Sequence, residues 1–589
     1  MNLKNLPDDI TSTVQSWRKS PFDDQMHREV ETFCNDNSAD DIIESFYDDL
    51  SFGTGGLRGI LGPGPNRMNR YTVGRATQGL AHYIIEKGDP ARGVVIARDT
   101  RNMSKEFAQI TAEILAANGI TVYYFTEPTP TPLVSYGMRL LNAQSGVVIT
   151  ASHNPPQYNG YKVYWDGGGQ IIPPVDKELI KTINETSFSS IKKLSFDKAK
   201  SSQTIIEIQD DVIDKYINEC KKSFQQLFTS AEPSVRIAFS SIHGTGYPII
   251  PHVLGHFNIK NIHVVEEQII QDGNFPTVTY PNPEEKEAMA QVIEWGLKNN
   301  AHCAIATDPD ADRMGVAVPD SKGNFEMLTG NEIGAIMMYY LLEKAVKENS
   351  SKENLYVVKT IVTSELQQEI ADHFGITLYN VLTGFKWIAG KMNELDNEKK
   401  TYLFGSEESY GYLPVSFVRD KDSVSSTLLM AAITEDIINR DMTLREYLKE
   451  IHINCGLYKD QLFYIELSGI EGKEKINTIM NHFRSLSNLE LSFGQLTSIQ
   501  DYESLKERNF VEDKAIDIND IPSSNVLQLY FNDETKISLR PSGTEPKIKF
   551  YISIKSQTKS NTYDNDLLNL SKKISDVQNI LKEYIDSIV

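Results

Sequence analysis

The sequence is poor in cysteine, long apolar runs and positive charge, and each deficit excludes a class of protein. Its four cysteines, spread over 589 residues, form no C-x-x-C pair, which argues against a disulfide scaffold or thiolate zinc site and suits a reducing cytoplasm. The longest purely apolar stretch, residues 335–342, is far shorter than the ~20 residues of a membrane-spanning helix. Residues 1–22 carry charges throughout, unlike a secretory signal peptide. We therefore expect a cytoplasmic protein without a membrane segment.

Acidic side chains outnumber basic ones by 80 to 59, so the formal net charge is −21. Such a chain is a poor candidate for binding nucleic acids or anionic membranes, because both require a positive field. An anionic ligand must instead be held by a few local arginines and backbone amides. We expect small molecules as partners and no nucleic acid.

Short apolar strands alternate with helical patterns along most of the chain, which predicts β-α-β units and largely parallel sheets. An acidic, amphipathic helical extension precedes Phe52, and the Ser/Lys-rich stretch 187–202 predicts a surface loop near a domain boundary. The last ~130 residues combine extended segments with a closing helix at 567–588. The fold class is therefore α/β, with three mixed-sheet α/β domains followed by an α+β domain. The predicted boundaries are 1–205, 206–325, 326–455 and 456–589.

The clearest local pattern is an apolar strand that leads to a serine. Residues 146–150 are mostly apolar, and two prolines at 155 and 156 prevent a helix from starting immediately. Ser152 is thus presented at the carboxyl end of a strand, where open α/β sheets bind ligands. The alternative is a structural Asn-Pro turn. A serine hydrolase is disfavoured because the G-x-S-x-G elbow is absent, and the adjacency of His153 does not establish a base.

A second pattern places three aspartates at alternate positions directly after a strand. Asp308, Asp310 and Asp312 could converge on one hard cation such as Mg²⁺, which prefers oxygen ligands. The run begins like an EF-hand, but Arg313 and Pro319 occupy the positions of its turn glycine and last glutamate. The alternative is an acidic solvated loop.

Three further loops are ambiguous when each is taken alone. The glycine-rich run 53–59 could bind an anion through backbone amides and Arg58, but it matches no nucleotide-binding motif. The run 405–411 suits hydrogen bonding to sugar hydroxyls and equally suits a helix N-terminus. The run 540–546 could form a phosphate-sized nest or a plain hairpin loop.

Together the five loops indicate phosphoryl transfer on a phosphorylated sugar. Their order, T-A-S-H-N-P, D-x-D-x-D-R, E-x-S and R-P-S-G-T, resembles that of the α-D-phosphohexomutase family over nearly the whole chain. The loop T-G-F-K-W-I at 383–388 is similar to the branch that holds long bacterial phosphoglucomutases and animal phosphopentomutases. One departure is the sugar loop, which reads S-E-E-S-Y-G instead of the G-E-M-S-G-H of phosphomannomutase/phosphoglucomutase enzymes. This difference argues against mannose as the main substrate.

The resemblance implies four domains around a central active-site cleft, each of which contributes one loop. Ser152 would be the phosphorylated serine, and its phosphate would bind Mg²⁺ with the three aspartates. Arg58, His153 and Lys162 would act beside Ser152 in catalysis, although the general acid and base are left open. The residues expected to bind the sugar phosphate are Thr383, Gly384, Lys386, Glu407, Ser409, Lys421, Arg313, Arg540, Ser542, Gly543 and Thr544.

The implied activity is interconversion of α-D-glucose 1-phosphate and glucose 6-phosphate, with glucose 1,6-bisphosphate as intermediate and activator. The enzyme would be a monomer or weak dimer. Phosphopentomutase and phosphomannomutase activities are alternatives within the family. A metal-dependent sugar phosphatase and an inactive sugar-phosphate sensor are alternatives from other classes, and the intact Ser152 and aspartates disfavour the sensor.

Overall fold

A computed structural model describes residues 6–53, 55–228, 230–347, 352–467, 469–542 and 547–588. The chain divides into two compact units, described separately below. The first unit contains residues 1–328, 389–398 and 410–440, and the second contains 329–388, 399–409 and 441–589. None of the helices in the described ranges combines the length and apolar character that crossing a membrane requires.

Three short helices open the first unit and confirm the predicted helical extension. They bury an aromatic cluster around Trp17 and Phe22, whose rings stack at 4.3 Å between centroids. Ser38 caps the third helix, since its hydroxyl accepts the Asp41 N–H while the Asp41 carboxylate accepts the Ser38 N–H. The helices are α1 Asp8–Ser16, α2 Asp24–Asp36 and α3 Ala39–Phe46.

A six-stranded mixed sheet follows, in the order β1-β5-β4-β2-β3-β6. Strands β4, β2, β3 and β6 run parallel, whereas β5 is antiparallel to both β4 and β1. Every residue of β2 and β4 is buried, as expected for central strands with both faces covered. The strands are β1 Gly56–Ile60, β2 Val94–Arg98, β3 Val122–Tyr124, β4 Ser145–Ile149, β5 Tyr158–Tyr164 and β6 Ile205–Glu207. The helices are α4 Arg70–Lys87, α5 Ser104–Ala117, α6 Thr131–Leu141, α7 Val175–Glu185 and α8 Phe196–Ser201.

A second mixed sheet has the order β11-β10-β9-β7-β8, with β10 antiparallel to β9 and the remaining core strands parallel. Strand β9 is wholly buried and ends at Thr307, so the aspartates begin where the strand stops. The strands are β7 Arg236–Ser240, β8 Asn261–Val264, β9 Cys303–Thr307, β10 Met314–Pro319 and β11 Phe325–Met327. The helices are α9 Gln209–Phe224, α10 Gly246–Gly255 and α11 Lys286–Lys298.

The second unit begins with a parallel sheet in the order β13-β12-β14. The central strand of the three is fully buried. The elements of this region are α12 Gly330–Lys347, β12 Leu355–Thr360, α13 Leu366–Phe374, β13 Thr377–Val381 and β14 Thr401–Glu407. Helix α14, Phe385–Leu395, has its first four residues in the second unit and the rest in the first. The next two elements, β15 Gly411–Leu413 and α15 Ser423–Ile438, belong to the first unit, and α16 Leu444–Cys455 returns to the second.

The C-terminal part is a largely antiparallel sheet in the order β16-β23-β22-β21-β18-β19-β20, with β17 paired to β18. Two helices complete its apolar core, so the predicted α+β domain is confirmed. The elements are β16 Leu457–Glu466, α17 Gly469–Ser485, β17 Glu490–Leu491, β18 Gly494–Asp501, β19 Lys506–Asn509, β20 Lys514–Asp517, β21 Leu527–Phe531, β22 Thr535–Pro541, β23 Lys547–Ser556 and α18 Tyr563–Asp586. The 3₁₀ turns are Pro90–Arg92, Phe188–Ser190, Gln225–Leu227, Lys352–Asn354 and Asp396–Glu398.

Three local predictions were wrong. The stretch 187–202 is not a simple loop, because α8 forms within it and buries Ala199 in the core of the first sheet. Arg58 lies on strand β1 and not in a glycine loop. The first residue of that strand, Gly56, has to be a glycine because a Cβ there would lie 1.9 Å from the Tyr161 carbonyl oxygen. In the 405–411 motif, the first three residues are the end of β14.

Candidate functional site

The first unit joins the predicted serine to the predicted aspartates by a direct hydrogen bond. Ser152 is 3% exposed, and its Oγ donates to Asp308 Oδ2 at 2.7 Å. The Ser152 backbone has φ +52°, a left-handed conformation that costs a non-glycine residue roughly 1–3 kcal/mol. The Ser152 N–H donates to Thr150 Oγ1 at 2.8 Å, which helps to hold this sharp turn at the strand end.

A buried arginine that the sequence analysis missed braces this serine turn. The Arg101 guanidinium, 3% exposed as a residue, donates to the backbone carbonyls of Ser152 at 2.6 Å and Asn154 at 2.5 Å. It also donates to the Pro155 carbonyl at 2.9 Å, and Asp99 lies 3.2 Å from its Nε. Arg101 therefore fixes the loop through four backbone atoms, since it also reaches the Tyr158 carbonyl.

The three aspartates are fully buried and converge, because one oxygen of each lies within 4.8 Å of the others. Asp308 Oδ1 accepts the N–H groups of Asp312 and Arg313 at 3.1 and 3.0 Å, so the loop folds around its own first carboxylate. Thr131 Oγ1 donates to Asp310 Oδ2 at 2.8 Å. In the part of the chain that the structure describes, Asp310 Oδ1 and Asp312 Oδ1 are buried and accept no hydrogen bond.

Two lysines neutralise part of this charge. Lys162 Nζ lies 2.7 Å from Asp310 Oδ2 and 3.0 Å from Asp312 Oδ2, and Lys421 Nζ lies 3.2 Å from Asp312 Oδ2. Burial alone would raise the pKa of Asp312, but Lys162, Lys421 and Arg313 hold it well below its usual range. Burial and repulsion from its two neighbours raise the pKa of Asp308 well above its usual range. The pocket therefore favours additional positive charge beside Asp308.

His153 and two arginines border the same serine. His153 Nδ1 lies 3.2 Å from Ser152 Oγ, and burial together with Arg313 and Arg58 lowers the pKa of His153 well below 6.5, so the ring is neutral. Arg58 donates to Asn154 Oδ1 at 3.0 Å, which places it beside the serine turn. Arg313 pairs with Glu284 at 2.9 Å. Of the three residues predicted to act beside Ser152, His153 thus contacts its hydroxyl, Arg58 contacts the same turn, and Lys162 contacts the aspartates.

The second unit contains the residues predicted to bind sugar and phosphate, apart from Arg313 and Lys421, which lie in the first unit. The Gly384 N–H donates to Glu407 Oε1 at 2.9 Å, which fixes the glutamate to the loop after β13; Gly384 has φ +115°, a conformation that favours glycine. Thr383 Oγ1 is buried and makes no hydrogen bond to any described residue. Lys386 is 9% exposed, with its ammonium 5.3 Å from the centre of the Trp387 ring.

The remaining candidates of the second unit lie at the ends of strands. Ser409 follows β14 and is partly exposed. Arg540 lies on β22 opposite Lys549 of β23, and its positive charge opposes the rise that burial causes in the pKa of the Tyr551 hydroxyl. The Ser542 N–H donates to the Lys547 carbonyl at 2.8 Å, which closes the loop between the two strands. Gly543 and Thr544 lie outside the described residues.

Comparison with known proteins identifies the family of the chain. Three family models match in order: phosphoglucomutase/phosphomannomutase alpha/beta/alpha domain I at residues 49–190, domain II at 214–323 and domain III at 329–453. The chain is 39% identical over 528 residues to a phosphoglucomutase of Staphylococcus haemolyticus, covering 87% of this chain and 94% of that protein. It is 37% identical over 527 residues to a phosphoglucomutase of Staphylococcus aureus strain USA300, covering 89% and 93%.

Solved structures show the same fold at lower identity. The Paramecium phosphoprotein pp63/parafusin, a phosphoglucomutase, matches with a TM-score of 0.64 at 17% identity and covers 91% of this chain and 96% of that one. A phosphoglucomutase/phosphomannomutase family protein of Burkholderia thailandensis matches with a TM-score of 0.60 at 18% identity, covering 91% and 98%. The chain belongs to the phosphoglucomutase/phosphomannomutase family, which confirms the resemblance seen in the sequence. The four predicted domain boundaries stay a prediction.

Proposed function

We propose that this protein is a phosphoglucomutase, which interconverts α-D-glucose 1-phosphate and glucose 6-phosphate. The observation that carries the proposal is the 2.7 Å hydrogen bond from the buried Ser152 hydroxyl to Asp308, within a group of three convergent aspartates. The preference for glucose rests on the relatives at 37–39% identity, which are named phosphoglucomutases, and on the S-E-E-S-Y-G sugar loop.

The aspartate group fits a divalent cation. Its donors are carboxylate oxygens only, and the buried Asp310 Oδ1 and Asp312 Oδ1 accept no hydrogen bond from the described residues. Asp308, Asp310 and Asp312 would hold Mg²⁺ together with a phosphate on Ser152. When bound, the cation would offset the repulsion between the phosphoserine and an anionic sugar phosphate.

The protein's own residues would carry out two transfers through one serine. The bond between Ser152 Oγ and phosphorus breaks as the free sugar hydroxyl forms its own bond to that phosphorus and loses its proton. Glucose 1,6-bisphosphate then turns over, and the bond between its other phosphorus and the sugar oxygen breaks as Ser152 Oγ bonds to that phosphorus. The released sugar oxygen takes up a proton, which balances the proton lost in the first transfer. Arg540 and Ser542 would grip the phosphate that is not being transferred, while Glu407 and Ser409 would read the sugar hydroxyls.

The second candidate class, a sugar phosphatase, would use the same serine with water as acceptor. We propose the mutase instead because the second unit supplies a carboxylate in the sugar loop, Glu407, and an arginine at a strand end, Arg540, that could anchor the sugar phosphate at a second point. We also propose a cytoplasmic location, which the four buried free cysteines support.

The experiment is parallel kinetics with glucose 1-phosphate, mannose 1-phosphate and ribose 1-phosphate, in buffer containing Mg²⁺ and a trace of glucose 1,6-bisphosphate. Inorganic phosphate is measured in the same reactions, with Ser152→Ala as the blank. We expect kcat/KM to be highest for glucose 1-phosphate and phosphate release to be far slower than isomerisation. Stoichiometric phosphate release would favour the phosphatase, and a higher kcat/KM for ribose 1-phosphate would favour a phosphopentomutase.

A further inference from the structure

Strand β22, which carries Arg540, is attached within the second unit to the segment 360–366, which runs from the last residue of β12 to the first residue of α13. The Lys536 ammonium donates to the Ile361 carbonyl at 3.0 Å and to Glu365 Oε1 at 2.5 Å. The side chain of Gln528, on the neighbouring β21, donates to the same Ile361 carbonyl at 2.6 Å. One carbonyl of the segment therefore accepts two side-chain donors from two strands of the C-terminal sheet.

Glu365 lies between two lysines, Lys359 on β12 and Lys536 on β22. Lys359, whose side chain is fully buried, approaches Glu365 Oε1 to 3.2 Å from β12 and also donates to the Thr363 carbonyl at 3.2 Å. Burial alone would raise the pKa of Glu365, but Lys359 and Lys536 together lower it to about 2. The carboxylate is therefore ionised at every working pH and holds both ammonium groups.

Strand β22 contains both Lys536, which pairs with Glu365, and Arg540. Side chains alternate along a strand, so Lys536, Ser538 and Arg540 share one face. Ser538 Oγ accepts a hydrogen bond from Gln528 at 3.1 Å, which continues the contact along that face. At the Arg540 end, the positive charge of Arg540 opposes the rise that burial and Glu407 cause in the pKa of Glu408. The segment 360–366 reaches this end as well.

The segment 360–366 makes a second contact, which is with Glu408 of the sugar loop. The hydroxyls of Thr360 and Thr363 lie 3.4 and 3.5 Å from Glu408 Oε2. Glu408 is the residue between Glu407 and Ser409, which we expect to read the sugar. An apolar cluster, which includes Ile361 and Val362 of the segment together with Leu382, Tyr502, Val526 and Tyr551, fills the space beside these contacts.

We propose that Glu365 and Lys536 are positioning residues for the phosphate grip, because they hold the strand of Arg540 against the segment that also contacts the sugar loop. This inference rests on the proposed function, in which Arg540 binds the phosphate that is not being transferred. The distance between the two residues that anchor the sugar phosphate, Arg540 and Glu407, then stays the same through both transfers. Glucose phosphates and the bisphosphate can bind both residues only if that distance matches the size of the sugar.

The test variant is Lys536→Met, which removes the two hydrogen bonds from Lys536 to the segment, while Gln528 still donates to Ile361 and Glu365 keeps its partner Lys359. We expect KM for glucose 1-phosphate to rise about tenfold, the equivalent of one weakened charge-assisted contact, with kcat changed less than about threefold. Release of free glucose 1,6-bisphosphate per turnover should increase. Lys536→Arg, which can donate to the same carbonyl and carboxylate, should restore KM to within about threefold of the original protein.

Lys573→Met is the matched control. It breaks a 2.8 Å ion pair with Asp533, which lies in the turn before β22 and not in the segment 360–366, and should leave KM unchanged. Gln528→Met removes the other donor to Ile361 while all three charges remain, and it replaces Lys536→Met in the assay should that variant not fold. An unchanged KM in either folded variant would overturn the positioning role.

A double-mutant cycle separates this inference from the proposed function itself. If Lys536 acts through Arg540, Lys536→Met should raise KM in the original protein but change it little in an Arg540→Ala background. Equal increases in both backgrounds would overturn the positioning role and leave Arg540 as the phosphate ligand. If Arg540→Ala alone leaves KM unchanged, the assignment of Arg540 fails, which is a failure of the proposed function.

Discussion

The two units organise their candidate residues in different ways. In the first unit these residues contact one another: Ser152 bonds Asp308, and Lys162 pairs with both Asp310 and Asp312. In the second unit the expected phosphate ligand, Arg540, takes its position from strand β22, and Lys536 attaches that strand to the segment 360–366. Groups that must meet within bond-forming distance are pre-assembled, whereas groups that grip a ligand need only a fixed spacing. Substitutions in the first unit should therefore reduce kcat, and those in the second should raise KM.

The largest effect should come from Ser152→Ala in the first unit. A methyl group cannot carry a phosphoryl group, so turnover should be abolished while the fold is retained, as circular dichroism and thermal melting would show. Mass spectrometry of the purified original protein should find phosphate on Ser152 in at least a fraction of the molecules. Near-normal isomerisation by the alanine variant would rule out the phosphoserine mechanism.

Asp310→Asn should have the next largest effect, because it removes one negative oxygen donor from the aspartate group. We expect kcat to fall by a factor on the order of 100 or more and the Mg²⁺ concentration for half-maximal activity to rise. Asp320→Asn, a substitution in an exposed turn of the same unit, is the control and should change neither quantity. Full activity after exhaustive chelation would show that the aspartates have another purpose.

A third test concerns the bracing of the serine turn by Arg101. Arg101→Met removes the donors to four carbonyls, and a displacement of Ser152 by about 1 Å can cost on the order of 100-fold in rate. We expect kcat to fall about 10- to 100-fold, with KM changed much less. Arg98→Met, which removes a buried guanidinium on β2 that donates to the Thr126 carbonyl after β3, controls for general destabilisation. A loss of kcat as large in Arg98→Met would remove the special role of Arg101.

Arg101 also marks the limit of what the sequence could predict. The strands that end at Ser152 and Asp308 were predictable because their apolar runs and the residues that follow them are local in sequence. The contact of Arg101 with a turn fifty residues later depends on how β2 and β4 pair, which no local pattern encodes. The same holds for Thr131, whose hydroxyl donates to Asp310. Thr131 begins helix α6 beside the first sheet, whereas Asp310 follows strand β9 of the second sheet. Motifs reveal the residues that carry chemistry, and the fold supplies the residues that hold them.

In the second unit, Arg540→Ala should raise KM by roughly one to two orders of magnitude, since a hydrogen bond to a charged group is worth about 1.5–3 kcal/mol. We expect kcat to fall less, because the grip is equally strong before and during transfer. More glucose 1,6-bisphosphate should escape per turnover, as a coupled assay for the bisphosphate would detect. If kcat fell as steeply as in Arg101→Met, the division between a chemical unit and a gripping unit would be wrong.

The smallest effect should be a pH dependence of stability at Glu408. Burial and repulsion from Glu407 raise the pKa of Glu408 to about 7, although Arg540 and Lys549 oppose this shift. The folded state therefore binds a proton that the unfolded state releases near pH 4.5, so Glu408 costs stability progressively as pH rises from about 4.5 to about 7. Glu408→Gln removes that cost, and its stability relative to the original protein should increase by on the order of 1–3 kcal/mol over this range. Urea melts at pH 5 and pH 8 measure the difference, with Glu474→Gln on the exposed face of α17 as the control. An equal difference between the two proteins at both pH values would mean that Glu408 ionises as readily as a solvated glutamate.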